Sequence, residues 1–298
     1  MTTEHDPKRT FIIEVLLFGV ACIWALNFSV VKISLVEIDP MSFNAMRFLL
    51  ATILMWSFVL YRKEWRPVRK GDWKHLIILG ALGNLLYQLL FIFGIERTFS
   101  ANSAVMLGTI PVWVAVTSHL FSDEKMTRNK AIGVALAFSG VIFILLGKPE
   151  RISLSSETFV GDLLSLASAF VFGYYTVRSK GFLSYYPPLQ LTTLSMTFGG
   201  LSLVIAGIPW LIELDYANIG LASYGGAIYS GLLSVGVSYI IWNYGLRQVG
   251  AVRTATYQNL VPVMGLILGF LILDEKMTTV QYIGSAIVIA GIIQTRRK

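Results

Sequence analysis

The phrase DEKMT is written twice in this chain, at Asp123–Thr127 and again at Asp274–Thr278. Five residues are few enough to recur by accident, so the flanking residues decide. At the same offset of 151, Gly94 pairs with Gly245, Ala104 with Ala255, Pro111 with Pro262, Gly133 with Gly284 and Gly140 with Gly291, without a gap. Nearer the start the offset becomes 148, pairing Lys32 with Lys180 and Pro40 with Pro188. The unequal loops 62–74 and 210–221 absorb the difference. The chain therefore reads as two similar halves, 11–147 and 159–295, joined by a linker, 148–158, and flanked by a tail, 1–10, and a basic end, 296–298.

Composition sets the environment of these halves. Apolar residues make up 55% of the chain and charged residues only 14%, with a mean hydropathy of +0.67. Soluble domains carry roughly 25% charged residues. Ten charge-poor stretches are each about long enough to cross a bilayer as a helix: 13–34, 41–61, 75–95, 101–121, 129–147, 160–178, 188–209, 222–244, 252–272 and 279–295. Their apolar runs are continuous, whereas the strands of a membrane barrel alternate. The expected fold is an all-α integral membrane protein with ten transmembrane helices. The first stretch follows the charged start MTTEHDPKRT and holds no small-x-small cleavage site before Lys32, so it reads as an uncleaved span. Cys22 is the single cysteine and lies in that span, which rules out an intramolecular disulfide.

Five spans per half is an odd number, so the second half must enter the membrane upside down relative to the first. Charge supports this. With the N-terminus in the cytoplasm, cytoplasmic segments hold eighteen Lys and Arg against five on the other face, and Arg47 alone is left within a span. Both termini are then cytoplasmic. The net charge of +7 is topological and gives no reason to expect a nucleic-acid partner. The expected partners are the bilayer and a small-molecule substrate, and the chain is expected to act as a monomer. Inverted repeats are a signature of secondary transporters, in which a two-fold axis in the membrane plane lets the halves exchange roles. DEKMT itself reads as structural, a helix stop followed by a threonine that caps the next helix.

The stretches IWALNFSVVK (23–32), PMSFNAMRFLLA (40–51) and SANSAVMLGTIPVW (100–113), with the duplicated DEKMT blocks and their trailing glycines, resemble the drug/metabolite transporter superfamily. Within it the chain is similar to the EamA-type branch of ten-helix exporters built from two five-helix repeats. The resemblance covers nearly the whole chain and rests on the order and duplication of loose apolar motifs. It implies efflux of metabolites such as amino acids from the bacterial cytoplasm across the inner membrane, with the aromatic amino-acid exporters of the branch most similar in character and efflux of drugs or other metabolites by the same fold as the alternative. SDEKMT at 122–127 departs from many relatives in carrying serine where they have glycine before the glutamate.

Polar side chains in spans are costly unless they face protein or water, so their spacing locates a cavity. In the third span Asn84, Tyr87, Gln88 and Phe91 fall on one helical stripe, and their repeat partners on the eighth are Val235, Ser238, Tyr239 and Trp242. The first span adds Trp24, Asn27 and Phe28, matched in the sixth by Phe172, Tyr175 and Thr176. Asn102 and Ser103 join from the fourth span, and Tyr257, Gln258 and Asn259 from the ninth. The alternative for each is a hydrogen bond between packed helices. Pro111 and Pro262 occupy equivalent places inside apolar helices and deprive the carbonyls of Leu107 and Gln258 of their usual donor. They are expected to kink the helices beside the cavity and to serve as hinges. Gly133, Gly140, Gly284 and Gly291 read as close helix packing away from the substrate. Arg47 is expected either to reach the outer interface or to bond a neighbouring helix, with a direct role toward the substrate as the alternative.

The absences are also informative. No span centre carries Asp or Glu, which favours facilitated diffusion or exchange over a carboxylate proton relay. No span holds a set of residues that would ligate a metal or cofactor, or build a hydrolytic site, so none is expected and an enzyme is the weaker reading, as is a channel. A cavity of neutral amides, hydroxyls and rings suits a small, net-neutral, partly apolar solute. Polyanions would want several cations there.

Overall fold

Backbone in lipid must satisfy its own hydrogen bonds, which continuous apolar runs achieve as helices. The computed structural model describes residues 7–98, 100–122, 126–147, 159–273 and 278–297, and these form ten helical stretches with no strand among them. They are α1 (Pro7–Ser34), α2 (Pro40–Arg62), α3 (Lys70–Glu96), α4 (Ser100–Gly108 continued by Ile110–Phe121), α5 (Arg128–Leu146), α6 (Phe159–Phe182), α7 (Pro188–Glu213), α8 (Leu221–Val249), α9 (Ala251–Thr256, Tyr257–Asn259 and Leu260–Leu273) and α10 (Thr279–Arg296). Seven of them, α1–α3 and α5–α8, are long and apolar enough to cross a membrane; Val105–Phe121 on α4 is a shorter apolar helix. Large apolar side chains such as Phe11, Ile53, Ile205 and Ile289 are exposed around the outside, as a lipid-facing surface requires.

Local sequence sets the helix ends. Asp39 accepts hydrogen bonds of 2.9 Å from the amides of Met41 and Ser42, with Pro40 opening α2. Thr127 caps α5, and Thr278 caps α10 in a capping box with Gln281. The threonines of the two DEKMT phrases are therefore the caps expected of them. Asp123–Lys125 and Asp274–Met277 lie outside the described residues.

Glycines reveal how the halves meet. A Cβ on Gly133 would lie 2.7 Å from the carbonyl oxygen of Gly291, and one on Gly291 would lie 2.7 Å from that of Gly133. Gly140 and Gly284 are related in the same way, at 2.7 and 2.8 Å. Exchanging each residue for its repeat equivalent turns the first pair into the second. The contact between α5 and α10 thus has two-fold symmetry, with backbone against backbone. Another contact repeats across the halves: Gly80 faces the carbonyl of Ser195 at 2.9 Å, and Gly231 faces that of Arg47 at 2.8 Å. Early residues of α5 meet late residues of α10, so these equivalent helices run antiparallel. The axis relating them is perpendicular to the helices and lies in the plane of the membrane. The repeats are inverted.

Three helices depart from 3.6 residues per turn. π-turns occupy Ala81–Leu86 on α3, Met196–Gly200 on α7 and Ser230–Val237 on α8. Each lies where a glycine lets another backbone approach, and each rotates the helix beyond it relative to a regular stripe.

Candidate functional site

The two-fold axis passes through one hydrogen bond. Gln88 Nε2 on α3 donates to Tyr239 Oη on α8 over 3.0 Å, and the two residues are 151 apart, so each stands at the other's equivalent position. Around this bond lies a cavity of about 50 Å³, room for only a few water molecules. Trp24, Asn27 and Phe28 line it from α1, Tyr87, Gln88 and Phe91 from α3, and Phe172 from α6. Ser234, Val235 and Tyr239 come from α8, Leu107 from α4, Gln258 and Val261 from α9, and Arg47 from α2.

Its walls are aromatic for a packing reason: ring faces and edges cover each other at offset angles. Phe172 stands 4.7 Å from Tyr87 and 5.6 Å from Trp242, centroid to centroid, and Trp242 stands 5.2 Å from Trp24. Trp24 anchors α1 to α8 by donating its indole N–H to the Ser234 carbonyl over 3.0 Å. Polar atoms interrupt these walls. Asn27 Oδ1 and Gln258 Oε1 are buried with no protein hydrogen-bond partner.

The structure gathers Trp24, Asn27, Tyr87, Gln88, Phe91, Tyr239 and Gln258 at the cavity. Other expected residues lie elsewhere. Asn84 and Ser238 are fully buried in helix contacts and do not line it. The physical reason for Asn84 is the π-turn at Ala81–Leu86, which takes it off the stripe of Tyr87 and Gln88 and sets it beside Gly199 of α7. Ser238 follows the π-turn of α8. Trp242 and Tyr175 form a second layer, packed on Phe172. The side chain of Asn102 lies outside the described residues; its neighbour Ser103 bonds to Ser165 at 3.2 Å.

Tyr257 belongs to a different cluster. Its hydroxyl accepts from Arg296, whose guanidinium also meets Glu14 at 3.1 Å. Arg253 bonds the other oxygen of Glu14. One carboxylate of α1 thus ties α9 and α10 together at the end of the bundle that holds the N-terminus of α1.

Pro111 and Pro262 sit just past equivalent irregularities, a break at Thr109 in α4 and the 3-10 turn Tyr257–Asn259 in α9. The carbonyls that lose the i+4 N–H to a proline belong to Leu107 and Gln258, and both residues line the cavity.

Arg47 corrects the expectation of an uncharged cavity. It is 1% exposed and reaches no interface. Its Nε donates to Asn44 Oδ1 at 2.8 Å, Nη1 to Ser230 Oγ at 3.3 Å, and Nη2 to Gln88 Oε1. Phe43 and Phe48 hold it with ring centroids 5.4 and 5.6 Å from the guanidinium carbon. The sequence offered one signal for it, a lone cation inside an apolar span.

The sequence profile of the EamA-like transporter family matches residues 11–146 and 159–296. An uncharacterized transporter of Archaeoglobus fulgidus is 31% identical over 280 residues, covering 93% of this chain and 94% of that protein. A protein of Streptantibioticus cattleyicolor, named a probable terminal-alkyne amino-acid exporter, is 25% identical over 233 residues, 78% of this chain and 76% of its own. A solved crystal structure superposes with a TM-score of 0.80 at 16% identity, covering 95% of this chain and 98% of the other, and shows the fold.

Proposed function

The chain belongs to the EamA-like transporter family, and from that premise we propose that it exports small net-neutral metabolites, chiefly amino acids with aromatic or other apolar side chains. The observation that carries this reading is the position of the cavity, on the two-fold axis and walled by rings and amides from both halves. The name of the Streptantibioticus cattleyicolor relative adds weight to amino acids.

The proposed mechanism is alternating access. A cavity with room for only a few water molecules does not hold an amino acid with a large side chain as it stands, so in this reading the walls part. The halves, 11–147 and 159–295, would rock about the axis with Pro111 and Pro262 as hinges, opening one face while closing the other. In the same proposal the protein sits in the bacterial inner membrane with both termini cytoplasmic, which the excess of Lys and Arg supports.

Counterflow with purified protein in liposomes tests this. A panel of radiolabelled neutral amino acids should show uptake accelerated by the same solute inside; a channel would not trans-accelerate. Cysteines introduced as Ser122→Cys and Leu273→Cys, each with Cys22→Ala, should be labelled from opposite faces. Absence of exchange across the whole panel would remove the amino-acid assignment, and labelling from one face would remove the orientation.

A further inference from the structure

We infer that Arg47 reads the cargo, and that the cavity therefore requires a solute bearing one carboxylate. The inference rests on the transport reading above and deepens it.

The three protein acceptors around Arg47 are an asparagine, a serine and a glutamine oxygen, all neutral. A guanidinium has five N–H donors, so two, one on each terminal nitrogen, are left without a protein acceptor. Ion pairs among the described residues involve other arginines: Arg97 with Glu96, and Arg253 and Arg296 with Glu14. A buried cation without an anion is costly to maintain, because it has left its hydration in water with no opposite charge to replace it. Here the cation lines the cavity that lies on the axis. A carboxylate entering that space meets a planar fork able to bind it with two parallel hydrogen bonds.

The remaining cavity groups fix what else the solute carries. Asn27 Oδ1 and Gln258 Oε1 are unpartnered acceptors in the same wall, suited to an ammonium without repelling its absence, since neither is charged. Among the described residues no Asp or Glu lines the space. Trp24, Phe28, Phe91 and Phe172 supply apolar surface for a side chain. The repeat equivalent of Arg47 is Ser195, so the second half adds no second cation there. One carboxylate is obligatory, an amine is accommodated, and dicarboxylates or polyanions are disfavoured.

The test uses the full-length protein in liposomes loaded with L-phenylalanine or L-leucine. Each amino acid is offered outside beside its analogue lacking the amine (3-phenylpropionate, 4-methylpentanoate) and its analogue lacking the carboxylate (2-phenylethylamine, 3-methylbutylamine). The expected result is that carboxylate-bearing compounds exchange at least tenfold better than the amines, that Arg47→Gln erases this gap, and that Arg47→Lys keeps part of it. Should Arg47→Gln fail to fold, the analogue comparison in the native protein decides alone. Equal exchange of amines and amino acids would overturn the role of Arg47 while leaving transport intact. No exchange of any neutral amino acid would overturn the amino-acid assignment, and this inference with it.

Discussion

On α2, Arg47 lines the cavity with a buried guanidinium; the equivalent place on α7 is held by Ser195. At the end of the bundle, Arg253 and Arg296 grip Glu14, whereas their equivalents in the first half are Asn102 and Leu145. The backbones around these positions nonetheless repeat closely, as Gly80 against Ser195 and Gly231 against Arg47 demonstrate. What is shared between halves is what sets shape: small residues at crossings, prolines in α4 and α9, threonine caps. What is unshared is a set of arginines: Arg47, Arg253 and Arg296 each face an uncharged equivalent, whereas Glu14 answers to Asp162 and Lys32 to Lys180. A two-fold scaffold gives two packings related by the axis and similar in energy; arginines present in one half only make those packings unequal and, in the proposed function, would bind a cargo in one orientation.

The largest expected effect comes from the shared part. Gly140→Val places a Cβ 2.7 Å from the carbonyl of Gly284, with backbone on the far side that cannot give way. A loss of about 3 kcal/mol, at the upper end for overpacking, is expected, read as a collapse of the thermal midpoint in detergent. Gly19→Ala, with nothing within 4 Å of the added carbon, should leave that midpoint in place. Equal effects at the two sites would break the argument that the α5–α10 contact holds the halves together.

Next comes the unshared charge. Glu14→Gln leaves Arg253 and Arg296 without their anion. Arg296 is 40% exposed in its side chain, so solvent screens part of the loss, and about 1–2 kcal/mol is expected. With Ser234→Cys as reporter in a Cys22→Ala background, labelling from the end that bears Glu14 should rise roughly fivefold to tenfold. Unchanged labelling would mean that the cluster is packing and does not hold that end shut.

The smallest effect sharpens the symmetry itself. Pro111→Ala or Pro262→Ala restores a helical hydrogen bond in one half only. The same cysteine should shift its accessibility in opposite directions in the two variants, by about threefold for a bias of about 0.7 kcal/mol. Shifts in one direction would leave the prolines as shapers of the wall.

Much of the scaffold was legible because a duplication displays its own register: the offsets of 151 and 148 predicted which glycines and prolines would be equivalent. The cavity was legible where helices are regular. Trp24 and Asn27 on α1, and Tyr87, Gln88 and Phe91 past the π-turn of α3, keep the spacing expected of one face. Asn84 lies inside that π-turn, and an extra residue in a turn leaves no mark in a polarity pattern. Arg47 was visible as an anomaly, but its partners Gln88 and Ser230 are 41 and 183 residues away, so only tertiary structure shows where it points. Leu107 carries no polar signal at all; its one trace is Pro111 four residues on.

The bond between Gln88 and Tyr239 has a consequence for kinetics. A residue off the axis exchanges surroundings with its counterpart when the halves swap roles, so a change there favours one state and acts as a lever. A pair on the axis is placed to stay together while the halves swap roles, because each residue stands at the other's equivalent position. It is a fulcrum. Substitution at Gln88 or Tyr239 would burden the passage between states more than either state, slowing traffic equally in both directions while leaving the balance between the two faces where it was.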